Sequence, residues 1–84
     1  MKSLILYSRS YCHLCDDMHA ALETTAARPD IDLKIVDIDT DPQLVALYDE
    51  LVPVLVECTT TGEMREICHH FLDRRALQLV LPSL

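Results

Sequence analysis

Eighty-four residues, half of them hydrophobic and a quarter charged, make one domain spanning positions 1–84 and exclude both a disordered chain and a second core. A formal net charge of -7 and a pI near 4.7 exclude a phosphate-binding surface for nucleic acid and disfavour an anionic membrane; they steer instead toward neutral or basic partners. The apolar run after Lys2 (Leu4, Ile5, Leu6) is too short for a leader segment, and no stretch is long enough to span a bilayer, so the expected location is cytoplasmic.

Residues 3 to 7 read as a buried strand. A helix opens at Cys12, because Cys15, Met18, Leu22, Thr25 and Ala26 recur at helical spacing; Pro29 ends it. Ile31, Leu33 and Ile35 alternate with Asp32 and Lys34, which gives a second strand running to about Ile38. Thr40-Asp41-Pro42 combines a capping side chain with a first-turn proline and starts a second helix, whose inward stripe is Leu44, Leu47, Tyr48 and Leu51. Val52-Pro53 leads into a third strand, Val54 to Glu57. Thr59 to Gly62 is a turn with Gly62 at positive φ, and Glu63 to Cys68 returns as a hairpin partner. Asp73 caps a last helix with Leu72 and Leu77 as a hydrophobic staple; Ala76, Leu77, Val80 and Leu81 form its buried face and Pro82 stops it. The fold class is α/β in the order β-α-β-α-β-β-α. The first two strands are parallel and the last two antiparallel, in a four-stranded mixed sheet with helices on both faces.

Chemistry concentrates in Tyr7-Ser8-Arg9-Ser10-Tyr11-Cys12-His13-Leu14-Cys15. Two thiols three residues apart at a helix start can close a small disulfide ring. With Cys12 at the N-cap, its sulfur accepts from the N–H groups of Leu14 and Cys15, surroundings that lower a thiol pKa from about 8.5 to roughly 3.5–7.5. Cys15 lies on the inward stripe. The roles follow: Cys12 is the nucleophile and Cys15 resolves the mixed disulfide, which makes the chain a small thiol–disulfide oxidoreductase acting on protein or small-molecule disulfides. A protonated or hydrogen-bonding His13 would tune the Cys12 pKa downward, whereas Asp16 and Asp17 oppose a neighbouring thiolate; the alternative for His13 is an exposed first-turn residue without a role.

The chain resembles a glutaredoxin-like protein of the thioredoxin superfamily, in the short Cys-x-Leu-Cys group. The likeness is carried by the Cys12–Cys15 motif after Tyr7-Ser8-Arg9, by Val36-Asp37-Ile38-Asp39 and by Leu51-Val52-Pro53-Val54-Leu55. The resemblance implies a thioredoxin-like fold and a cis Val52-Pro53 bond beside the active site, with the Val52 backbone pairing to substrate. It implies a substrate groove that includes Arg9, as a basic residue contacting glutathione, and Asp73, near the amino end of that ligand. Tyr11 is a further candidate for the groove; Tyr7, on an apolar strand, belongs to the core. Glutathione or a thioredoxin-type reductase is the implied electron donor, with no bound cofactor or metal and a monomeric chain. Two departures stand out: Cys12-His13-Leu14-Cys15 replaces Cys-Pro-Tyr-Cys, and His69-His70-Phe71-Leu72 occupies the region of the glutathione-contacting Gly-Gly pair.

Two other readings use the same residues. Cys12, Cys15 and His19, completed by His69 or His70, make a zinc set; and the fold without turnover makes an adaptor docking through the Pro53 groove. Cys58 and Cys68 read as small buried hydrophobes on the hairpin strands rather than as a second disulfide.

Overall fold

The computed structural model of the chain describes residues 2–25 and 31–81. Its elements are β1 (Lys2–Ser8), α1 (His13–Thr25), β2 (Ile31–Asp37), a single 3-10 turn (Ile38–Thr40), α2 (Pro42–Tyr48), β3 (Val54–Cys58), β4 (Met64–His69) and α3 (Arg74–Val80). They form a four-stranded sheet in the order β2-β1-β3-β4. β1 runs parallel to β2 and antiparallel to β3, and β4 pairs antiparallel with β3. The expected order and mixed sheet are those of the structure. Pro29 and Pro82, expected to end the first and last helices, lie outside the described residues.

Side chains of a strand alternate between faces, so one sheet serves two cores. On one face Leu4, Leu6, Leu55 and Cys68 pack with Met18 and Leu22 of α1 and Leu77 and Leu81 at the end of the chain. On the other, Tyr7, Val54 and Val56 pack with Ile38, Leu44, Val45 and Tyr48. Leu4, Leu6, Leu22, Ile38, Leu55 and Leu77 are fully buried. Each such side chain stabilises the fold by about 1.5–3 kcal/mol relative to exposure.

Local signals account for the helix starts. The Asp41 carboxylate accepts from the Gln43 N–H, and that of Asp73 accepts from the Ala76 N–H at 3.0 Å, with Leu72 and Leu77 packed beside it. Gly62 takes φ 88 in the β3–β4 turn.

Leu47, expected on the inward stripe of α2, is corrected, and two details of β2 are added. Leu47 is 63% exposed, because α2 faces the sheet through Leu44, Val45 and Tyr48 and Leu47 falls beyond the margin of that stripe. β2 ends at Asp37, since the Asp37 side chain accepts from the Asp39 N–H and turns the chain into the 3-10 segment. Ile35 is 44% exposed on β2, which is an edge strand. The weak alternation of the return strand also has a cause. The β3–β4 register shifts at Leu55/Val56, so Ile67 and Cys68 both contribute to the same core.

Candidate functional site

β1 delivers the chain to the site. After Ser8, the segment Arg9-Ser10-Tyr11 turns, and Tyr11 takes φ 60, a left-handed conformation that leaves its side chain fully exposed. Cys12 follows as the residue before α1: its carbonyl accepts from the Asp16 N–H at 3.1 Å, and its sulfur accepts from the Cys15 N–H at 3.1 Å. No bond from Leu14 to that sulfur is present, so one helix donor serves it where two were expected. The Cys12 and Cys15 sulfurs are joined as a disulfide with Cα atoms 5.2 Å apart. Cys15 is only 3% exposed and packs inward, while Cys12 is half-buried. His13 is exposed on the first turn.

Val52 and Pro53 lead into β3. Tyr7 pairs with Val54, so the segment entering β3 stands at the same end of the sheet as the turn leaving β1. The Val52–Pro53 peptide is cis and Pro53 is fully buried. The Val52 N–H is held by the Tyr48 carbonyl at 3.0 Å, and Tyr48 stacks on Tyr7 with ring centroids 4.8 Å apart. Burial and the neighbouring Tyr48 push the Tyr7 hydroxyl pKa up, as befits a core residue.

Arg9 is engaged within the chain. Its guanidinium donates to both Asp39 carboxylate oxygens, the shorter bond at 2.6 Å, and also pairs with Asp49. These two carboxylates hold it even more firmly protonated than usual. The fork ties the β1–α1 turn to the 3-10 segment and to the end of α2. Asp73, the other groove candidate, uses its carboxylate to cap α3.

Sequence reasoning offered His70 only as a metal ligand and missed its place against the Pro53 segment. His70 has φ 64, its N–H donates to the Pro53 carbonyl at 2.9 Å, and its ring Nε2 donates to the Glu50 carbonyl at 2.8 Å. One residue thus holds the Pro53 segment from two sides. The usual signal of a left-handed position is glycine, and here a histidine fills it.

The zinc set is not assembled. Among the described residues no group of three or more His, Cys, Asp or Glu side chains is placed to hold a metal ion. His19 pairs with Glu23 at 3.1 Å and His69 with Glu66 at 3.0 Å. Cys58 and Cys68 are free thiols at opposite ends of the hairpin, opposite Met64 and Leu55 respectively. Cys68 is buried as expected, and that burial raises its pKa; Cys58 is only half-buried. Among the described residues no helix is long and apolar enough to cross a membrane.

Comparisons with known proteins agree with this geometry. The family model described as Glutaredoxin-like domain (DUF836) matches residues 3–81. Protein Ne2328 from Nitrosomonas europaea is similar in structure, with a TM-score of 0.78 and 33% identity, over 94% of this chain and 89% of that one. The target protein XcR50 from X. campestris is 32% identical with a TM-score of 0.65, over 96% and 97% of the two chains. The oxidised mitochondrial thioredoxin 3 of Saccharomyces cerevisiae, at 22% identity, shares the fold with a TM-score of 0.71 over 99% of this chain and 78% of its own. No curated protein matches the sequence significantly.

Proposed function

The chain belongs to the glutaredoxin-like domain family and has a thioredoxin-like fold, and we propose that within it this protein is a thiol–disulfide oxidoreductase. The observation that carries the reading is the asymmetry of the pair. Cys12 is the less buried of the two and sits at a helix start where a backbone N–H points at its sulfur, while Cys15 is buried within bonding reach. A helix N-terminus stabilises negative charge, so it favours thiolate at the outer sulfur.

In the reducing direction the Cys12 thiolate attacks one sulfur of a substrate disulfide. A Cys12–substrate bond forms and the other substrate sulfur leaves as thiolate. The Cys15 thiolate then attacks the Cys12 sulfur, closing the Cys12–Cys15 bond and releasing the second substrate thiolate. The protein dithiol is oxidised by two electrons and the substrate disulfide is reduced by two. A thiol reductant such as glutathione or a thioredoxin-type reductase returns the pair to its dithiol form, in a reducing compartment such as the cytoplasm. The cis Val52-Pro53 segment is the wall against which an extended substrate backbone lies.

Single-turnover reduction of bis(2-hydroxyethyl) disulfide by the pre-reduced protein tests the reading. Cys12→Ser abolishes the reaction. Cys15→Ser carries out the first step and stops, leaving a Cys12 mixed disulfide that intact-mass spectrometry detects. Full activity in the Cys12 variant would overturn the assignment.

A further inference from the structure

Between the start of α1 and the β4–α3 connection lies a small cavity of about 130 Å³. It is lined by Leu14, Asp17 and Met18 of α1 and by His70, Phe71 and Leu72 of the β4–α3 connection. Leu14 belongs to the Cys12-His13-Leu14-Cys15 motif itself, so the cavity opens on the same first turn of α1 that carries the pair. Its floor is buried, since Met18 is 2% exposed and Leu72 packs against the core that contains Met18. Its rim is not: Leu14 is 37% and Phe71 68% exposed.

Phe71 follows a tight turn at His70. The Phe71 N–H donates to the His69 carbonyl at 2.7 Å, a three-residue turn whose central residue is His70 at φ 64. Such a turn is rare and strained for a residue with a Cβ, and strain of this kind clusters at functional positions. An exposed aromatic at the mouth of a cleft offers a large apolar surface to a group from outside the chain.

Size and charge say what it takes. Pockets that enclose a whole small molecule measure roughly 300–1,000 Å³. This cavity has room for a single side chain. Asp17 stands in its wall, Asp16 is beside it on the exposed first turn, and the chain as a whole carries -7; Arg74 and Arg75 do not line it. From these features we infer that the cavity is a specificity subsite for peptide or protein disulfides whose cysteine is flanked by an apolar and a basic side chain. The apolar group enters between Leu14 and Phe71, and the cation faces Asp17. The inference rests on the thiol–disulfide reading above and names the substrate class for the same sulfurs.

Two synthetic probes test it. Each is a short cysteine peptide joined to an identical copy by a disulfide, one with Leu and Lys flanking the cysteine, the other with Ser and Glu. Pre-reduced protein is mixed with each probe, and the appearance of peptide thiol is followed over a single turnover, with bis(2-hydroxyethyl) disulfide alongside. The wild type reduces the Leu/Lys probe about tenfold faster than the Ser/Glu probe, or more. Phe71→Ser, an exchange at an exposed position, brings the ratio of the two rates to within about twofold of unity. Asp17→Lys lowers the ratio several-fold at low ionic strength, and added salt narrows the difference between wild type and this variant. Equal rates for the two probes in the wild type, or an unchanged ratio in both variants, overturns the subsite while leaving the redox reading intact. Failure to reduce all three disulfides overturns both.

Discussion

Cysteine chemistry in this chain is decided by surroundings that differ over a few ångströms. Cys12 is half-buried and its sulfur accepts a backbone N–H, whereas Cys68 is 8% exposed on the edge strand β4. Burial raises the Cys68 pKa, and a hydrogen bond from the Asp73 backbone only partly opposes it. A thiol kept protonated is a poor nucleophile, so in the reduced protein at neutral pH iodoacetamide labels Cys12 well before Cys68. The same shift sets a pH dependence. Because the folded pKa lies above the unfolded one, the folded protein holds this proton more tightly. The stabilisation is complete below the ordinary thiol value of about 8.5 and is lost as pH rises through the raised folded value. Cys68→Ala removes the titrating group. Its urea midpoint therefore falls less than that of the wild type between about pH 7 and pH 10. Parallel declines in the two proteins would show that Cys68 does not carry the effect.

At the scale of an element, the β4–α3 connection does more than its length suggests. His70 gives its N–H to Pro53 and its ring to Glu50, and accepts a left-handed backbone to do so. Replacing it separates the two contributions. His70→Ala loses the ring bond and keeps a Cβ at φ 64; His70→Gly loses the same bond but relieves the backbone. The expected order of stability is wild type, then Gly, then Ala, with the Ala variant lower than wild type by about 1–3 kcal/mol. Urea denaturation measures it, and an Ala variant as stable as wild type would mean that neither the bond nor the backbone matters. His70 also marks the limit of what the sequence conveys. Elements with local signals were legible: the alternation of β2, the Asp41 and Asp73 caps, the Leu72–Leu77 staple and the Cys12–Cys15 spacing. Features made by distant partners were not. Nothing near Arg9 announces Asp39 and Asp49, and nothing near His70 announces Glu50. Leu47 was misplaced because a short helix allows two stripes, and only the sheet decides that Val45 belongs to the inner one.

Across the whole molecule, the sheet separates the site from the support of the fold. The cysteines follow the C-terminal end of β1, where Tyr7 meets Val54; at the other end, Leu4 meets Glu57. Glu57 is buried at 6% exposure, an unusual place for a carboxylate, and Lys2 reaches it at 2.8 Å from a side chain that is itself 48% exposed. Removing one partner of a buried pair costs about 3–5 kcal/mol, because it leaves the other charge desolvated and unpaired. Half of Lys2 is in water, which screens the pair, so Lys2→Met lowers stability by a smaller amount, about 1–3 kcal/mol. The companion change Glu57→Gln removes the orphaned charge. The double variant is therefore more stable than the sum of the single losses requires, and a double-mutant cycle in urea reads this coupling. The redox equilibrium responds differently. A substitution shifts the potential of the Cys12–Cys15 couple only when it stabilises one redox form over the other, and Lys2 touches neither sulfur. The potential of Lys2→Met stays well within the ~30 mV that marks a tenfold change in the exchange equilibrium. Titration of that couple against a glutathione buffer checks the point. A shift as large as the stability loss converted to millivolts would show that the two ends of the sheet are coupled, and that the disulfide is part of what holds the fold together.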